Sequence, residues 1–224
     1  MTSADPPHHP PRTDPAQDDP APGGLAWGAD LGLLSPMRGA VADTGDAAVL
    51  RAMLDAEVAL IHAQAALGMA PRKAAGAVAA AARTGAFDLP GLAERARSGG
   101  NPVIPLVADL RAAAEPYGHH VHRGATSQDI LDTALMLVAH RTLGPVLSDL
   151  GRVVNALTRL AGEHRDTPMA ARTLTQQAVP TTFGLKAVGW RQLAADARTR
   201  LLAARHALPA QLGGAAGTLA AFHP

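Results

Sequence analysis

Apolar residues recur along most of this chain with the three-four spacing of helices, and nowhere do they alternate with period two over a useful length. In "TGDAAVLRAMLDAEVALIHAQAALGMAP" (44–71), Leu50, Leu54 and Ile61 share one face with Met53 and Leu60 beside them. Thr44 or Asp46 is the candidate N-cap, and Gly68 and Pro71 supply the stop. The alanine-rich "PRKAAGAVAAAARTG" predicts a second helix. "DLPGLAERARSGG" predicts a short third, capped by Asp88 and stopped by Gly99, and "NPVIPLVADLRAAAEPYG" a fourth, opened by Asn101 and Pro102. Then the scale changes. Helical periodicity runs from Thr126 to about Arg165, roughly 60 Å at ~1.5 Å per residue. Leu143, Leu147, Leu150, Val154, Leu157 and Ala161 form its seam, and Pro145 is predicted to kink it. A second long run, Thr182 to Leu208, repeats the spacing through Trp190, Leu193, Ala197, Leu201, Ala204 and Leu208. The expected fold class is all-α, with a small helical domain over 25–120 and the first long helices of a central bundle over 121–224. Two such helices cannot cover each other's full circumference, so further helices are expected from other subunits or from sequence beyond this chain, an incomplete N-terminal portion.

Composition narrows the classes. Residues 1–24 are rich in Pro and Asp and hold almost no large apolar side chain, which predicts a disordered tail; its His8 and His9 are read as a solvated pair. With no cysteine, disulfides and thiolate zinc sites are excluded. A net charge of +1 with interleaved signs argues against a nucleic-acid surface. Only two lysines occur, Lys73 and Lys186, so the basic groups are mostly arginines, which suit bidentate carboxylate contact. No apolar run approaches the ~20 residues that cross a bilayer and no secretory signal opens the chain, so a soluble, cytoplasmic protein is expected.

Candidate chemistry concentrates in "VHRGATSQDILDTALMLVAHR" (121–141). Thr126 with Asp129 three positions later has the pattern of a capping box, which needs no ligand. A helix start is equally a carboxylate or phosphate site, because free N–H groups and the dipole both favour negative charge. Asp129 and Asp132 are read as first-turn acids that complement the dipole. His119, His120 and His122 have no carboxylate or thiol close by in sequence, and no metal is expected there.

Two stretches together carry a family resemblance. "HRGATSQDILDTA" (122–134) resembles the first block of the fumarase/aspartase superfamily, and "ARTLTQQAVPTTFG" (171–184) resembles the second. With "AMLDAEVAL", "GNPVIPLV" and "QLGGAAGTLAA", the chain is similar, from about Leu33 to Phe222, to the 3-carboxy-cis,cis-muconate cycloisomerase branch. The resemblance implies a cofactor-free cycloisomerase that interconverts 3-carboxy-cis,cis-muconate and carboxymuconolactone in protocatechuate catabolism. It implies a homotetramer whose sites are each built from three chains. It also implies a serine base in a flexible glycine-serine loop; no such segment is present, so this chain alone is expected to be inactive.

The residues implied as substrate-binding are Asn101, His122, Arg123, Thr126, Ser127, Arg172 and Gln176. Thr126, Ser127, Gln176 and Asn101 supply neutral donors to a carboxylate that gathers charge during ring closure, and His122, Arg123 and Arg172 supply positive charge. Arg172 has an alternative structural role, pairing with Asp166. The superfamily's lyases have histidine where this chain has Leu174. A carboxylate leaving group needs little general-acid help at neutral pH, so leucine there favours lactonisation over release of an amine. The alternatives are a superfamily lyase such as adenylosuccinate lyase, or a non-catalytic helical oligomerisation fragment.

Overall fold

A computed structural model describes residues 44–222. The expected tail and the start of the first domain lie outside the described residues. The order is α1 (Asp46–Ala66), α2 (Arg72–Thr84), α3 (Leu89–Gly99), α4 (Val103–Ala113), a 3-10 turn (Gly118–His120), α5 (Ser127–Glu163), β1 (Pro168–Thr173), β2 (Gln176–Thr182) and α6 (Phe183–His206), with a last 3-10 turn at Ala220–Phe222.

The predicted helices form with local adjustments at their ends. α1 takes its N-cap at Gly45, not at Thr44 or Asp46, because Gly45 holds the extended conformation a cap needs. Asp88 caps α3 by accepting from the Gly91 amide at 3.1 Å, and the stop is Gly100, left-handed at φ 64°, one residue beyond Gly99. Asn101 Oδ1 accepts from the Val103 amide at 2.9 Å, which starts α4.

α1, α2, α4 and the first turns of α5 enclose the core, where Leu50, Met53, Leu54, Ile61, Val78, Leu92, Val103, Leu106, Leu110 and Val121 are buried. Three polar residues share the buried stripe of α1: Asp46 at its first position, and Glu57 and Gln64 further along. Glu57 lies seven positions after Leu50, and Gln64 three after Ile61, so both fall on the core face at helical spacing.

α5 continues unbroken through Pro145 for 37 residues, roughly 55 Å at ~1.5 Å per residue. It ends in an antiparallel β-hairpin, which the periodicity did not predict. Pro168 pairs with Thr182 and Thr173 with Gln176, with an irregularity between Ala170 and Arg172. The fold remains all-α with this one small ribbon. α6 then returns along α5. The Gly184 amide donates to the His164 carbonyl at 2.9 Å, Arg191 Nε to Thr158 Oγ1 at 2.8 Å, and Arg205 Nε to the His140 carbonyl at 3.0 Å.

The predicted seam of α6 is only partly inward. Trp190 is 44% and Leu193 67% exposed and Ala204 is exposed, whereas Ala197, Leu201 and Leu208 are half-buried; the fully buried apolar residue of α6 is Ala187, outside the predicted seam. Apolar residues circle this helix, and a single neighbour can cover one face. α5 corrects a second expectation: by length and mean hydropathy (1.3 over 18 residues) it is apolar enough to cross a membrane. The interior helix of a bundle passes the same test for the same reason, since it too is apolar around most of its circumference.

Candidate functional site

The segment between the 3-10 turn and α5 is pinned from three directions. Two successive residues are held by the buried face of α1: Glu57 Oε1 meets the His122 ring at Nδ1 at 2.6 Å, and Gln64 Nε2 donates to the Arg123 carbonyl at 2.7 Å. From α4, the Arg111 guanidinium donates to the Val121 carbonyl at 3.1 Å. On the remaining side the chain's last segment folds back. A Cβ on Gly124, which is left-handed at φ 82°, would stand 2.8 Å from the Phe222 ring, so only glycine fits both the turn and that contact.

Asp129 is the junction of these pieces. It is buried one turn into α5. Its carboxylate accepts from the Thr126 amide at 3.0 Å, as in a capping box, and from the Gly213 and Gly214 amides at 2.8 and 2.9 Å. Burial alone would push the carboxyl up, but those three amides and the nearby His122 ring outweigh it and hold the group below its ordinary range. Thr133 Oγ1 adds a reciprocal pair with Gln211, accepting from its amide at 2.9 Å and donating to its carbonyl at 3.1 Å. The glycine-rich segment after α6 is thereby fastened over the start of α5. Sequence reading treated Asp129 as a dipole complement and did not foresee Gly213 and Gly214.

The expected site residues fall into separate groups. His122, Thr126 and Ser127 lie together where α5 begins, and Thr126 and Ser127 are part-exposed. Arg123 is a tie within the fold, its Nη1 donating to the Met69 carbonyl at 3.3 Å. Asn101 caps the end of α4 opposite Arg111, with its carbonyl oxygen already engaged. Arg172 and Gln176 are exposed on the hairpin, beyond the far end of α5. No ion pair joins Arg172 to Asp166 among the described residues. Leu174 sits at the tip beside Thr175, whose φ is 60°, and is 90% exposed. Within one chain, therefore, the two family-like blocks stand roughly 55 Å apart.

The three histidines separate as well. The His119 and His120 rings face each other at 4.1 Å, while His122 turns to Glu57. Burial first, and then the charges of His119 and Arg123, lower the pKa of His120. The carboxylate thought to be lacking near these histidines is Glu57, 65 residues upstream.

The start of α5 can recognise an anion. The amides of a first helical turn have no intrahelical acceptor, and the Thr126 and Ser127 hydroxyls stand beside them. The buried Asp129 carboxylate already answers part of that demand.

Known proteins match this chain in sequence and in fold. The lyase family model matches residues 37–224. Nitrosuccinate lyase of Streptomyces davaonensis is 53% identical over 205 residues, covering 88% of this chain and 43% of that protein. A 3-carboxy-cis,cis-muconate cycloisomerase of Bradyrhizobium diazoefficiens is 44% identical over 198 residues, covering 85% and 44%. The crystal structure of 3-carboxy-cis,cis-muconate lactonizing enzyme from Pseudomonas putida aligns with a TM-score of 0.74 at 39% identity, over 77% of this chain and 40% of that one. The chain thus spans less than half the length of these relatives. The branch expected from the sequence motifs is one of at least two, because a nitrosuccinate lyase is the more similar of the two relatives. The chain belongs to the lyase family of the fumarase/aspartase superfamily.

Proposed function

We propose that this chain supplies parts of the site of an enzyme that acts on a C4-type polycarboxylate and expels a stable anion, with nitrite elimination from nitrosuccinate as the leading reaction. In that reaction a C–H bond beside one carboxylate and the C–N bond on the neighbouring carbon break, giving fumarate, nitrite and a proton. Charge gathers on the carboxylate next to the departing proton, where neutral donors and positive groups stabilise it most. Thr126, Ser127 and His122 are the donors at the start of α5; Gln176 and Arg172 are those of the hairpin.

The observation that carries the reading is Leu174, which stands where the superfamily's lyases have a histidine. Nitrite is stable as an anion at neutral pH and needs no acid to leave, so an apolar side chain is compatible with its release. The same reasoning supports cycloisomerisation of 3-carboxy-cis,cis-muconate, whose leaving group in the ring-opening sense is a carboxylate. The 44% identical relative supports that second reading, and the 53% identical one is the reason nitrosuccinate is proposed first.

The site is also proposed to form between copies of the chain. Thr126 and Gln176 lie at opposite ends of a continuous helix, so they meet on one small substrate only if neighbouring molecules run antiparallel. A homotetramer held by α5 and α6 would meet that need. The test uses protein expressed from the complete reading frame, given each substrate in turn. Nitrite and fumarate appearing in equal amounts from nitrosuccinate supports the leading reading; loss of diene absorbance from the muconate alone supports the second. Turnover of neither contradicts both.

A further inference from the structure

Glu57 is a carboxylate set into the core face of α1, 1% exposed, between Leu54 and Ile61. One oxygen, Oε1, contacts His122 Nδ1 at 2.6 Å, and the other, Oε2, is buried with no hydrogen-bond partner. A dry carboxylate with one contact is a costly way to hold a loop, since an apolar residue of similar size packs as well or better. The loop already has other ties, from Gln64 to the Arg123 carbonyl and from Arg111 to the Val121 carbonyl. His122 itself is left-handed at φ 61°, a conformation disfavoured for any residue with a Cβ. Buried charge and backbone strain therefore meet at one imidazole.

We infer that Glu57 is a positioning residue for His122. A carboxylate only accepts, so the contact fixes the ring with its proton on Nδ1 and directs Nε2 away from α1. No group among the described residues engages Nε2, and the ring keeps 15% of its surface exposed, four positions before Thr126. Nε2 is thus held ready to take up a proton, and once the ring carries that second proton it donates from Nε2 to a substrate carboxylate. A group fixed in this way loses no orientational freedom when substrate arrives, so its effect falls on the chemical step more than on binding. The inference rests on the proposed function only in assigning His122 to substrate; the Nδ1 proton and the ring's orientation do not depend on it.

The test has two arms. In wild-type protein labelled with 15N-histidine, NMR is expected to place the His122 proton on Nδ1, with a downfield N–H signal that E57Q loses. Added fumarate is expected to move the Nε2 resonance and leave Nδ1 in place. In the kinetic arm, E57Q in the full-length enzyme lowers kcat on the order of 10²-fold, with KM changed little and the melting temperature nearly unaltered. A ring protonated on Nε2 alone in the wild type, or E57Q with wild-type kcat, overturns the assignment. If E57Q does not fold, the wild-type spectrum decides. If the wild type turns over neither proposed substrate, the functional reading fails while the NMR arm still tests Glu57.

Discussion

At the scale of single residues, Asp129 shows how one side chain can have a local and a distant role. The spacing from Thr126 was enough to read its part in the helix start. Its bonds to Gly213 and Gly214, 84 and 85 positions away, leave no local pattern, because sequence spacing reports only partners within a turn or two. Its folded-state pKa is lowered, so the carboxylate contributes stability that is present above its unfolded value and is lost as pH falls through the folded one. The Gly213 and Gly214 amides are therefore expected to be protected from hydrogen exchange at neutral pH and to keep that protection until the pH falls below the ordinary carboxylate range. Asp129→Asn should expose them at neutral pH and cost about 1–3 kcal/mol in denaturant unfolding; unchanged protection would contradict the role. Glu57 went unread in the sequence, although its position carried a signal. A charged side chain on a stripe otherwise made of Leu50, Leu54 and Ile61 must be paired, though only the fold could say that the partner is His122.

At the scale of elements, helices with strong periodicity were readable and the hairpin was not. "PMAART" and "QQAVPTT" expose most positions on both faces, so no alternation marks them. The turn between them uses Leu174 and Thr175 in place of the Asn-Gly or Gly pairs that announce a hairpin. What fixes the hairpin is the close approach of its two flanking helices. Gly184 packs against the end of α5 so tightly that a Cβ would lie 2.7 Å from Arg165 Cα and 2.8 Å from the Ala161 carbonyl oxygen, both backbone atoms that cannot easily give way. Gly184→Ala is expected to cost about 1–3 kcal/mol in thermal or denaturant unfolding. Stability equal to wild type would mean that the joint is looser than described.

At the scale of the whole molecule, the apolar residues that α5 and α6 leave exposed are as informative as those they bury. Val146, Val153, Leu185, Val188, Trp190 and Leu193 are all more than a third exposed on two long neighbouring helices. The seam of α5 was legible, but which face of α6 meets α5 was not, because apolar residues occupy several of its faces. If this surface joins copies of the chain, Leu193→Glu buries a charge at the contact and should shift sedimentation toward smaller species. A wild-type sedimentation profile for that variant would exclude Leu193 from any interface.

The central claim is that the two family-like blocks, standing at opposite ends of α5 in one chain, meet across neighbouring molecules. Complementation tests it most directly. Thr126→Ala/Ser127→Ala in one full-length copy and Gln176→Ala in another should each abolish most turnover of nitrosuccinate or the muconate when expressed alone. Co-expressed, mixed oligomers should regain activity, because some of their sites draw the start of α5 from one copy and the hairpin from the other, both intact. Mixed oligomers that form but stay as inactive as either parent would contradict the claim.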